Sequence, residues 1–142
     1  MNNNFRKAER LRYKSLVDPL FREGKSMFEY PLRMVWRPVS ADDLAASFRT
    51  GVPADIAPLQ MMVTVPKKRR RRAVDRVLIR RRIREAWRLQ RHALRDALAS
   101  NPGLRTLSVG FIFAADTDIP YRKIEAGMAR LITKLHNKLS NS

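Results

Sequence analysis

The chain has 142 residues, 44% of them hydrophobic, no cysteine and a formal net charge of +17. That length and apolar content suit one domain with a real core and exclude wholesale disorder. The lack of cysteine excludes disulfides, thiolate metal sites and a cysteine nucleophile. A sequence pI near 11.5 calls for a polyanionic partner, nucleic acid before an anionic membrane. No apolar run approaches the ~18 residues of a membrane span, and the opening residues lack the apolar stretch of a signal peptide. The expected compartment is therefore the cytoplasm.

Taken in order, residues 1–8 read as a flexible start. Residues 13–23 suit a short helix, with Leu16, Leu20 and Phe21 one turn apart, Gly24 as its stop and Pro19 as a kink. Residues 28–37 alternate. Phe28, Tyr30, Leu32, Met34 and Trp36 point one way, which predicts a half-buried strand, and Pro31 places it at an edge or at a strand start. The polar connection 39–58 is expected to be mobile, with a helical turn near 42–48. Residues 59–65 alternate again and end at Pro66. A run of six cations follows at 67–72, then a helix over 75–100 with Asp75 as its N-cap and Asn101-Pro102-Gly103 as its stop. Residues 107–115 read as a central strand. After a turn at 116–120, residues 121–139 form a last helix with Tyr121, Ile124, Met128, Leu131, Leu135 and Leu139 on one face. The fold class is α+β, a single α/β sandwich of order αββαβα whose small sheet has an apolar face covered by helices.

Residues 65–95 organise the rest. Lys67 to Arg95 holds 14 of the 30 Lys and Arg residues, against only Asp75 and Glu85. Ile79, Ile83, Ala86, Gln90, Leu94 and Ala97 form a narrow stripe, apolar except for Gln90. Arg80, Arg84, Arg88, Arg91 and Arg95 form a second stripe. Like charges at helical spacing repel, and a phosphate backbone would remove that repulsion. Guanidinium forks suit phosphate oxygens. The competing reading, a solvated charged face, normally mixes signs, and this face does not.

The same stretch resembles the signature of the protein subunit of bacterial ribonuclease P. The residues that carry the likeness are Lys67 and Lys68, Ala73 and Val74, Arg76, Arg80 and Arg81, then Arg84, Glu85, Trp87 and Arg88. Residues 9–24 resemble that family's opening. Val77 stands where the family usually has Asn, Leu78 where a basic residue is common, and Arg71 where a Gly often precedes Ala-Val. The resemblance implies a ribosomal protein S5 domain 2-like fold with a left-handed βαβ crossover. It also implies that the catalyst is the RNA subunit, with Mg2+ held mainly by that RNA and the substrate. The protein would bind ribonuclease P RNA and precursor tRNA and assist removal of the 5′ leader, leaving a 5′-phosphate on the tRNA. No membrane role and no obligatory protein partner are implied. The residues expected to dock RNA are Lys67, Lys68, Arg70, Arg72, Arg76, Arg80, Arg81, Arg84 and Arg88. For the leader, Phe21 matches a family aromatic, and Val17 stands where a second one is usual. Phe21 reads equally as a core residue, and Trp87 as core packing against the sheet.

Catalytic groups are scarce. His92 and His136 lie on helices and read as surface or boundary residues; Asp96 follows His92 by one turn, and no acid stands one turn from His136. Asp42, Asp43, Asp116 and Asp118 read as turn and capping residues. No glycine-rich phosphate loop, HExxH or metal-ligand cluster is present in the sequence. No catalytic residue and no metal ligand is therefore assigned to this chain. A ribosomal-type structural RNA binder would share the charge and size but needs only scattered cations. A duplex-DNA reader needs Asn and Gln on the exposed helix face, and only Gln90 lies in this helix, on its apolar stripe.

Overall fold

The structure is a computed structural model and describes residues 5–101 and 103–140. The reading of residues 1–4 and Pro102 lies outside them. A 3-10 turn, Lys7–Glu9, precedes α1, Lys14–Glu23. Then come β1, Lys25–Glu29, β2, Leu32–Val39, α2, Ala41–Ala46, and β3, Leu59–Thr64. α3, Ala73–Gln90, α4, His92–Ala99, β4, Thr106–Phe113, and α5, Tyr121–Ser140, complete the chain. The sheet order is β1-β2-β4-β3. β1–β2 and β2–β4 are antiparallel, while β3–β4 is parallel across the α3–α4 crossover.

The αββαβα order holds, with three local refinements. The single strand expected over 28–37 is a hairpin that turns at Tyr30 and Pro31. Glu29 pairs with Leu32 and Phe28 with Arg33. Cross-strand partners share a face, so the turn moves Phe28 off the face of Leu32, Met34 and Trp36. The long helix is broken at Arg91, whose ψ of −6° separates α3 from α4. Its first turn begins at Ala73, so Asp75 lies inside the helix near the positive end of the macrodipole and is not the cap. α1, by contrast, runs through Pro19.

Both faces of the sheet are covered. On one, Leu32, Met34, Trp36, Met61, Val109 and Phe111 meet α3, α4 and α5. Trp87 of α3 is buried there, edge-on to Phe111 with ring centroids 5.4 Å apart. On the other, Val35 and Val39 meet Leu16 and Leu20 of α1, with Leu11, Leu44 and Ile56 completing a second core. The connection 39–58 is tied into this second core. Ser40 caps α2 by accepting from the Asp43 N–H, Phe48 stands edge-on to Tyr13, and Asp55 is ion-paired to Arg12 and accepts from the Tyr13 hydroxyl at 2.8 Å.

The N-terminal segment is built into the sheet edge. The Leu11 N–H donates to the Met61 carbonyl at 3.0 Å, and the Ala57 N–H to the Ala8 carbonyl at 3.2 Å. This covers the outer edge of β3. No helix among the described residues is long and apolar enough to cross a membrane.

Candidate nucleic-acid interface

β3 delivers the chain into the cationic loop. Val65 is buried and anchors it. The Pro66 carbonyl then accepts the Arg69 and Arg70 N–H groups at 3.0 and 3.2 Å, which closes a tight turn. The loop's own cations divide into two sets. Arg70 turns inward with its side chain only 16% exposed. It is ion-paired to Asp75 and Asp118 and donates to the Asp116 carbonyl. Arg69 pairs with Asp116 at 3.0 Å. Arg76 donates to the carbonyls of Arg70 and Arg71 at 3.0 and 2.6 Å. These side chains hold the loop in shape. Asp116 and Asp118, which the sequence suggests as turn formers, are its acidic anchors. Lys67, Lys68, Arg71 and Arg72 face outward, and Arg72 keeps only a loose 3.9 Å contact with Asp75. The loop frames a concavity of about 440 Å3 lined by Lys68, the four arginines that follow and two aspartates. A larger cavity, about 570 Å3, lies between the N-terminal turn and the end of α4, away from this loop.

α3 presents the remaining charge. Its buried side holds Ile79, Ile83, Ala86 and Trp87. Gln90, the polar member of the apolar stripe, donates to the Glu125 carbonyl of α5 at 3.1 Å. Arg80, Arg81 and Arg84 have no acidic partner among the described residues. Arg84 is pushed below its ordinary pKa, first by partial burial and then by the like charges of Arg10 and Arg80. A guanidinium remains protonated under these conditions, so the three arginines form a repulsive cluster that an anion would relieve. Arg10 arrives from the N-terminal segment, and nothing local in the sequence marks it. Arg88 is neutralised in place by Glu85, through bonds of 3.1 and 2.6 Å.

Arg91 leaves the stripe to which its spacing assigns it. It is fully buried, and its Nε donates to Glu9 Oε1 at 2.8 Å, a partner 82 residues away. The N-terminal segment that brings Arg10 beside Arg84 also brings Glu9 to Arg91.

A second surface lies on the other face of the sheet. Leu16 and Leu20 of α1 are buried, Val17 is half-buried, and Phe21 is 44% exposed. Phe21 is therefore a rim residue and not part of the core. Gly110 of β4 lets α1 settle here, because a Cβ would stand 3.0 Å from Val35 and 3.3 Å from Leu20. In the neighbouring row, Phe28, Arg33, Ile112 and Thr64 lie side by side across the four strands. The Arg33 guanidinium sits 5.5 Å from the centroid of Phe28. Two exposed aromatics with a cation between the strands make a platform suited to bases and phosphate. The hairpin hid Phe28 from a reading by simple alternation.

Among the described residues, no three His, Asp or Glu side chains come together as metal ligands. His92 is pushed below its ordinary pKa, by partial burial and then by Arg91 and Arg95.

Known proteins resemble this chain over most of its length. The ribonuclease P family profile matches residues 5–135. The ribonuclease P protein component of Porphyromonas gingivalis W83 is 33% identical over 136 residues, covering 96% of this chain and 89% of that protein. That of Chlorobaculum tepidum is 34% identical over 145 aligned residues, covering 98% and 85%. The solved RNase P protein of Staphylococcus aureus shares the fold at a TM-score of 0.61 and 16% identity, covering 91% of this chain and 95% of that one. The chain belongs to the ribonuclease P protein family and is the protein component of that ribonucleoprotein endonuclease.

Proposed function

We propose that the cationic loop and the exposed flank of α3 dock on ribonuclease P RNA, and that the α1–sheet platform holds the 5′ leader of precursor tRNA. The observation that carries this reading is the cluster of Arg10, Arg80 and Arg84, which has no acidic partner among the described residues and stands beside a loop braced by Asp116 and Asp118. A surface built this way gains its counter-charge from a phosphate backbone. Phe21 and Phe28 offer stacking faces to unpaired leader bases, and Arg33 meets the connecting phosphate.

This reading assigns the chemistry to the RNA. In this reading Mg2+ is held by the RNA and the substrate, and among the described residues no three His, Asp or Glu side chains gather as metal ligands. The protein contributes affinity by lowering repulsion where phosphates crowd. The test is cleavage of a precursor tRNA by a bacterial ribonuclease P RNA at low magnesium, with and without this chain. Stimulation at the mature 5′ end, with no activity from the protein alone, is the expected result. Tight RNA binding without stimulation would remove the leader-holding role.

A further inference from the structure

We infer that Val74, Val77 and Leu78 form an apolar crest on α3 that packs against an unstacked base of ribonuclease P RNA. This rests on the reading that α3 faces that RNA. The three residues stand at i, i+3 and i+4, so they adjoin on one side of the helix. They are 63%, 45% and 42% exposed, although they are aliphatic. They lie opposite Ile79, Ile83 and Ala86 and therefore add nothing to the core. Arg81 continues the same line one turn on, and the outward cations of the loop border its start.

An aliphatic patch inside a field of cations narrows the choice of occupant. A second copy of the chain would bring another +17 and set the two densest positive regions against each other. A polyanion satisfies the border, but it must also offer apolar atoms at the centre. Paired RNA shows sugars and phosphates along its outside and hides its base faces. A base out of its stack offers both a flat apolar face and the neighbouring phosphates. The crest would then supply a part of the affinity that salt does not weaken, beside the arginine part that it does.

The experiment titrates two variants and the parent protein against ribonuclease P RNA over a range of salt. Val77→Ser with Leu78→Gln should lower affinity by about tenfold at every salt concentration, with the slope unchanged. Arg80→Ala with Arg84→Ala should instead flatten the slope. Unchanged affinity in the crest variant, with circular dichroism showing an intact helix, overturns the inference while leaving the docking reading in place. An unchanged slope in the arginine variant overturns the docking reading itself. Titration with an unstructured oligonucleotide and with a duplex RNA of equal length tests the base assignment. Loss confined to the single strand supports it, and equal loss for both overturns it. A parent protein that self-associates in sedimentation, and a crest variant that does not, would identify a second copy as the occupant and overturn it as well.

Discussion

Arg91 sits between α3 and α4 with its guanidinium fully enclosed and its charge met by Glu9. Burial of Glu9 works against its ionised form. The Arg91 hydrogen bond, the Arg6 backbone N–H and the charges of Arg91 and Arg95 outweigh that effect and hold it below 4.5. A depressed carboxylate stabilises the fold above its unfolded pKa, and this contribution is lost as pH falls through the lower folded value. Glu9→Ala should therefore cost about 3–5 kcal/mol at neutral pH, since it strands a buried cation. It should also flatten the acid limb of stability below about pH 4.5, as read by urea unfolding across pH. An unaltered acid limb would show that the pair does not link folding to protons. Phe21 is the other decisive residue. Its exposed ring, beside Gly110, should contribute about 1–3 kcal/mol to leader binding. Phe21→Ala should weaken binding of leader-bearing precursor and spare mature tRNA. Equal loss for both would remove the leader assignment.

At the scale of the element, α3 is a helix whose cations are not equivalent. Arg76 braces the loop, Arg82 donates to the Ile119 carbonyl, Arg88 is paired to Glu85, and Arg80, Arg81 and Arg84 meet no acid among the described residues. Counterion release counts net phosphate contacts. Arg80→Ala and Arg84→Ala should each reduce the salt slope of RNA binding by roughly 0.7–0.9. Arg88→Ala should reduce it by less, because Glu85 already meets that cation. A full loss of slope from Arg88 would mean that RNA displaces Glu85 from it. The stripe of five arginines read from spacing thus resolves into different jobs once partners are known.

For the whole molecule, the sheet separates the two proposed surfaces. α3 packs on one face and α1 on the other. With Phe21 and Arg80 on opposite faces and in no contact with each other, their effects should be independent. In a double-mutant cycle on precursor binding to the assembled ribonucleoprotein, Phe21→Ala and Arg80→Ala should change affinity by the product of their separate factors, within about 0.5 kcal/mol. Coupling above about 1 kcal/mol would show that docking and leader binding share a contact. The N-terminal segment reaches both regions. It lines the edge of β3, sends Glu9 and Arg10 to α3, and continues through Leu11 into the core under α1.

The amino-acid order alone determined the elements whose signal is local. β4 and α5 follow from their periods, the cationic loop from its run of charges, and the buried back of α3 from Ile79 and Ile83 at helical spacing. The motif from Lys67 to Arg88 likewise carries the family resemblance. Tertiary structure decided what depends on distant partners. The hairpin at Tyr30 and Pro31 set the face of Phe28, and the packing of α1 gave the sheet a second core. The approach of Glu9 took Arg91 out of the charged face while Arg10 joined it. The physical reason is that periodicity fixes which way a side chain leaves its own element. Its exposure and effective charge are fixed by whatever packs opposite, and for Arg91 that group lies 82 residues away.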